Sequence, residues 1–176
     1  MPRLISGASA LTRSTGSILQ VKYTQFTGTN QVTSTAYAST AVTDLTVNIT
    51  PTATNSIIKI QAMVNGEWST ASGATESTWF FLRDTTKLSI AAASNRSVGI
   101  LMGTSITYFL EDHDSSPEHA SYSYFDSPNS TSQITYKVAF NNTYGATWSL
   151  NRTDGDSDTA SYERGLSYIS ATEIAG

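Results

Sequence analysis

The chain has 176 residues, a net charge of −4 at pH 7, 14% charged residues and no cysteine, which excludes disulfides, thiolate metal sites and cysteine nucleophiles. Its ten Lys and Arg are scattered through an acidic sequence, so it lacks the clustered positive field that nucleic-acid binding needs. One domain is expected at this length, and no apolar run approaches the roughly 20 residues that cross a bilayer.

The opening Met1-Pro2-Arg3-Leu4-Ile5-Ser6-Gly7 lacks the apolar stretch of a secretory signal, so synthesis in a cytoplasm is expected. Residues 1–16 are rich in Ser, Ala, Thr and Gly, with Leu4, Ile5 and Leu11 as the only anchors, and read as an arm or attachment segment. From Gly16 a period of two takes over. Leu45, Val47 and Ile49 alternate with Thr46, Asn48 and Thr50, and Pro51 ends that strand. After a turn over residues 52–56, Ile58, Ile60, Ala62 and Val64 repeat the alternation.

Further strands are expected at residues 79–83, 88–92, 105–110, 120–125, 134–140, 146–150 and 166–174, with Gly, Asn, Asp, Ser or Pro in the breaks. No window carries a capped helical stripe, so helix is minor. Many short strands between turn clusters predict an all-β protein, an antiparallel β-sandwich of jelly-roll type spanning residues 17–176 behind the arm. Charged residues fall well below the roughly 25% of typical soluble chains, and Ser, Thr, Asn and Gly replace them. Such a surface dehydrates at low cost, which suits packing against copies or a larger assembly. It equally suits strands whose outward faces are decorated with hydroxyls.

Three stretches carry a resemblance. They are Tyr124-Phe125-Asp126-Ser127-Pro128-Asn129-Ser130-Thr131 leading into the alternating run 133–140, the ending Ser167-Tyr168-Ile169-Ser170-Ala171-Thr172-Glu173-Ile174, and an earlier set. That set is Gly16-Ser17-Ile18-Leu19-Gln20-Val21, then Thr43-Asp44-Leu45-Thr46-Val47-Asn48-Ile49-Thr50-Pro51, then Ser56-Ile57-Ile58-Lys59-Ile60. The chain resembles the C-terminal β-domains of tail-fibre and other virion structural proteins of tailed bacteriophages. The resemblance implies a non-enzymatic virion component, on a tail fibre or knob or as a decoration of the head. It also implies a homotrimer that docks on other virion proteins through residues 1–16 and presents loops to a host-surface glycan or protein. Without heptads or a repeated shaft, a fibre tip, knob or decoration protein fits better than a whole fibre.

Several clusters invite chemistry. Glu111, Asp112, His113, Asp114, Glu118 and His119 gather both histidines and four carboxylates within nine positions. A mixed nitrogen and oxygen metal site, a partner-binding loop and a solvated acidic loop all fit that composition. Asp154, Asp156 and Asp158 alternate like the start of a calcium loop, but Gly165 stands where the bidentate glutamate belongs, so an ordinary turn competes with a calcium site. No Gly-x-Ser-x-Gly elbow is present, and no carboxylate pair is singled out for glycoside hydrolysis.

Trp79, Phe81, Tyr136, Val138 and Phe140 alternate as core residues, and Tyr122 and Tyr124 share one strand face. Trp68, before the loop 69–77, is the aromatic expected to be displayed. Five Asn-x-Ser/Thr triplets follow from composition and are not read as glycosylation sites. The resulting expectation is a structural virion protein. The alternatives are a sugar-binding module built on displayed aromatics with calcium at residues 154–158, and a glycan-degrading enzyme.

Overall fold

A computed structural model describes residues 14–106 and 115–176. The strands, in chain order, are β1 (Ile18–Phe26), β2 (Asn30–Thr33), β3 (Ser39–Ile49), β4 (Ile57–Trp68), β5 (Ser77–Arg83), β6 (Thr86–Leu88) and β7 (Leu101–Met102). They continue with β8 (Ser105–Ile106), β9 (Glu118–Asp126), β10 (Ile134–Asn142), β11 (Thr147–Leu150) and β12 (Ser167–Ile174), and a single helical turn, α1 (Ala71–Thr75), precedes β5. All strand pairings are antiparallel.

The larger sheet runs β1-β12-β4-β9, and the smaller runs β3-β10-β5-β6. Numbered one to eight in chain order, these eight strands stand in the orders 1-8-3-6 and 2-7-4-5, which is the jelly roll formed by two Greek keys. The shorter strands extend this frame. β11 continues along the edge of β4 that β12 occupies and carries β2 outside it, β8 extends β9, and β7 lies beside β5.

The alternation read from sequence is what packs the two sheets together. Ile58, Ile60, Ala62 and Val64 of β4 are fully buried, as are Ile169 and Ala171 of β12 and Tyr136, Val138 and Phe140 of β10. Leu45, Val47 and Ile49 of β3 add to the core from β10's sheet, and Tyr122 and Tyr124 of β9 pack onto it from β4's sheet. At the side of the sandwich, the Thr24 hydroxyl donates to the Thr46 carbonyl (2.6 Å) and the Gln20 amide to the Thr50 carbonyl (2.7 Å). Those bonds join the edge strands β1 and β3, which belong to different sheets.

Three details depart from the sequence reading. β6 ends at Leu88, because the following residues, with Ile90 largely exposed, leave the ladder. β2 was not anticipated: its sequence Asn-Gln-Val-Thr offers one apolar anchor, Val32, in register with Trp148. β1 runs on to Phe26, well past Val21. Of the arm, residues 1–13 lie outside the described residues, and so do 107–110 of the strand expected at 105–110. Gly16, at a φ of +86° that favours glycine, already donates its N–H to the Ala175 carbonyl (2.7 Å).

Candidate functional site

β4 is the central strand of the larger sheet, and inward-facing carboxylates stand on its neighbours at both ends. Near its start, Glu173 of β12 and Asp126 of β9 flank Ile58. Near its end, Glu118 of β9 stands opposite Gly66, and Glu67 follows on β4 itself. All four are buried. A carboxylate taken out of water must be supplied with donors or it will neutralise, so the partners of each define what this polar frame does.

Glu173 accepts four hydrogen bonds. Its Oε1 takes the Thr52 N–H (2.6 Å), the Thr52 hydroxyl (2.7 Å) and the Ser56 hydroxyl (2.6 Å), and its Oε2 takes the Gln20 amide (2.7 Å). Burial works to raise its pKa, but the bonds from Ser56, Gln20 and Thr52 outweigh that effect and hold the carboxyl below its usual range. Asp126 accepts both contacts from one Arg83 Nη (2.9 and 3.1 Å) and the Tyr136 hydroxyl (2.7 Å). Arg83 and Tyr136 belong to the opposite sheet, so Asp126 clamps the sandwich shut. Burial, then the bond to Asp126, push the Tyr136 phenol far above its ordinary range.

At the other end Glu67 ties two loops together. Its Oε1 accepts the Ser116 N–H (2.8 Å) and its Oε2 the Asp154 N–H (2.7 Å). Glu118 Oε2 accepts the Thr104 hydroxyl. Above this floor opens a cleft of about 250 Å³, walled by Asn65, Gly66, Glu118, Asn151, Arg152 and Arg164, with Glu163 on its rim. Gly66 is required there: a Cβ would stand 2.3 Å from the Ser149 carbonyl oxygen and 2.7 Å from the Trp148 ring. Asn151, in the left-handed region at φ 60°, donates to the Phe26 (2.9 Å) and Gly28 (2.8 Å) carbonyls and accepts from Ser167 (2.6 Å). Its side chain anchors the start of the long 151–166 loop.

The structure sorts the residues singled out in the sequence. Glu111, Asp112, His113 and Asp114 lie outside the described residues. Glu118 is buried at the cleft, while its neighbour His119 points to the outer surface. The three aspartates of the calcium-like run go separate ways. Asp154 accepts from the Ser149 hydroxyl (2.7 Å), Asp156 pairs with Arg164 (2.5 Å) and Arg152 (3.5 Å), and Asp158 is exposed. Among the described residues no three His, Cys, Asp or Glu side chains converge on one point.

Trp68 requires correction: it is not displayed but fully buried. The loop after it turns back as α1, and Gly73 lies so close that a Cβ would sit 2.7 Å from the Trp68 side chain. Trp68, Trp79, Trp148 and Phe140 pack as one aromatic cluster with ring centroids 4.9 to 5.9 Å apart. A stacking platform for sugars at Trp68 is thereby removed. Sequence reading named Glu67 only as one of several carboxylates that nothing selected for glycoside hydrolysis, and gave no role to Asp126 or Glu173. The one available signal was an acidic residue at an inward position of an alternating run, as in Ile169, Ala171, Glu173.

No family model matches the chain, and no match to it was found among curated proteins.

Proposed function

We propose that this chain is a non-enzymatic structural protein of a tailed-bacteriophage virion, assembled from several copies and presenting its loops at the particle surface. The virion placement and a trimeric state come from the resemblance of the 16–21, 43–60, 124–140 and 167–174 stretches. The observation that carries the structural role is the use made of the buried carboxylates. Glu67, Glu118, Asp126 and Glu173 accept bonds from loop backbones, hydroxyls and an arginine, and so act as clasps for the crossings and the two sheets. Such clasps favour a rigid building block, with the 151–166 loop and cleft held in one geometry for contact with a host surface or a neighbouring virion protein. Synthesis in the host cytoplasm and residence in the particle follow from the same reading.

Immunogold electron microscopy of particles from a lysate that produces the chain tests the placement. Gold confined to the tail or head of intact particles is expected, and gold found only on cell debris would overturn the proposal. The absence of enzymatic turnover is tested by measuring reducing ends released from host surface polysaccharide. No release above buffer is expected, and a saturable rate abolished by one carboxylate substitution would overturn it.

A further inference from the structure

We infer that the outer face of the β1-β12-β4-β9 sheet is the surface through which copies of this chain pack against one another. The inference rests on the homo-oligomeric reading above and locates its contact. Register fixes which side chains share this face: Val21 and Tyr23 of β1, Tyr168 and Ile174 of β12, Met63 of β4 and Phe125 of β9 all point away from the core. Tyr23 is 72% exposed, Phe125 60% and Val21 52%. Serines, threonines and amides fill the positions between them.

Charge is what distinguishes this face. Two charged residues stand at outward positions of these four strands: Glu67, buried beneath the Ser116 and Asp154 backbones, and Lys59, whose ammonium lies 6.0 Å from the Phe125 ring centre. Of the strands' carboxylates, Glu118, Asp126 and Glu173 face inward, and all of them, Glu67 included, are buried. A chain of net charge −4 thus keeps its exposed negative charge off this sheet face, so copies meet here without carboxylate repulsion and with little to desolvate.

The size also fits. Four neighbouring strands of at least eight residues cover roughly 500 Å² in projection at about 4.8 Å between strands and about 3.3 Å per residue. Side-chain relief brings that towards the roughly 800 Å² per partner of a standard interface. Contact through the free edge of β1 is opposed, because Lys22, in register with the buried Ala171, places an exposed charge on the core side of that edge. Packing through the sheet faces, turned toward a shared three-fold axis, is left as the favourable geometry.

The test is native mass by light scattering over a dilution series for the wild-type chain, Tyr23→Glu, Phe125→Glu and Met102→Glu. Met102 serves as the control, since it is 86% exposed on β7 of the other sheet. Thermal melts confirm that each variant is folded. A multimeric wild type and Met102→Glu, with Tyr23→Glu and Phe125→Glu dissociating at concentrations at least ~10-fold higher, are expected from a carboxylate buried at a contact. Face variants that keep the wild-type mass would overturn this contact while leaving self-assembly intact. A monomeric wild type would overturn both.

Discussion

At the scale of single residues, the buried carboxylates make the most specific demands. Glu173→Gln keeps the shape of the side chain but removes the charge that four donors are arranged around. It should cost about 1–3 kcal/mol at pH 7, which is about 2–8 °C in melting temperature for a chain of this size. The sign of its pH dependence follows from the lowered pKa. The wild-type contribution is fully present above the ordinary value of 4.5 and is lost as pH falls through the lower folded-state value. Wild type and Glu173→Gln should therefore converge in urea titrations run below that range, and a constant gap from pH 7 to pH 3 would contradict the assignment.

Trp148 gives a second residue-scale expectation. Its indole N–H has no hydrogen-bond partner, so its value lies in volume and ring contacts. Trp148→Ala should cost about 3–5 kcal/mol, and Trp148→Phe roughly half as much. Equal losses in chemical denaturation would mean that the N–H matters after all. The burial of Trp68 was not legible in its own neighbourhood, since Gly66-Glu67-Trp68 followed by a polar loop reads as a displayed aromatic. Its cover comes from α1 and from Trp148 of β11, contacts that only the tertiary fold creates.

At the scale of elements, the strands with the clearest alternation were the legible ones. β3, β4, β10 and β12 carry most of their apolar residues at alternate positions and bury them against the opposite sheet. β2 was invisible because its stability is borrowed from β11, and the end of β6 because burial rather than propensity decides where a short edge strand stops. The same difference predicts dynamics. In native-state hydrogen exchange the amides of β4 and β10, flanked by partners on both sides, should exchange near the global unfolding limit. Those of the peripheral β2 and the short β6 should exchange through local opening with lower free energy. Uniform protection across all strands would contradict this ordering.

Gly66 marks the point where two elements approach too closely for any side chain. Gly66→Ala forces the β4 backbone away from the Ser149 carbonyl and the Trp148 ring. A loss of about 3 kcal/mol, at the upper end for overpacking, is expected in thermal melts. A variant as stable as wild type would show that β4 and β11 can separate without penalty.

At the scale of the whole molecule, the number and pattern of strands implied a jelly roll before the pairing was known, and the observed orders β1-β12-β4-β9 and β3-β10-β5-β6 are that fold. What the sequence did not reveal is how the charges are distributed. Inward positions of alternating strands normally hold apolar residues, yet here three of them hold Glu118, Asp126 and Glu173, and the outer sheet face is left with almost no exposed charge. A sandwich clasped inside, with one sheet face almost free of exposed charge, is the basis on which we propose a subunit of an assembly. The native mass of the wild-type chain by light scattering tests that claim most directly. A species near 57 kDa, about three times the 18.9 kDa chain, that persists on dilution is the predicted result. A clean 18.9 kDa monomer at every concentration would contradict it.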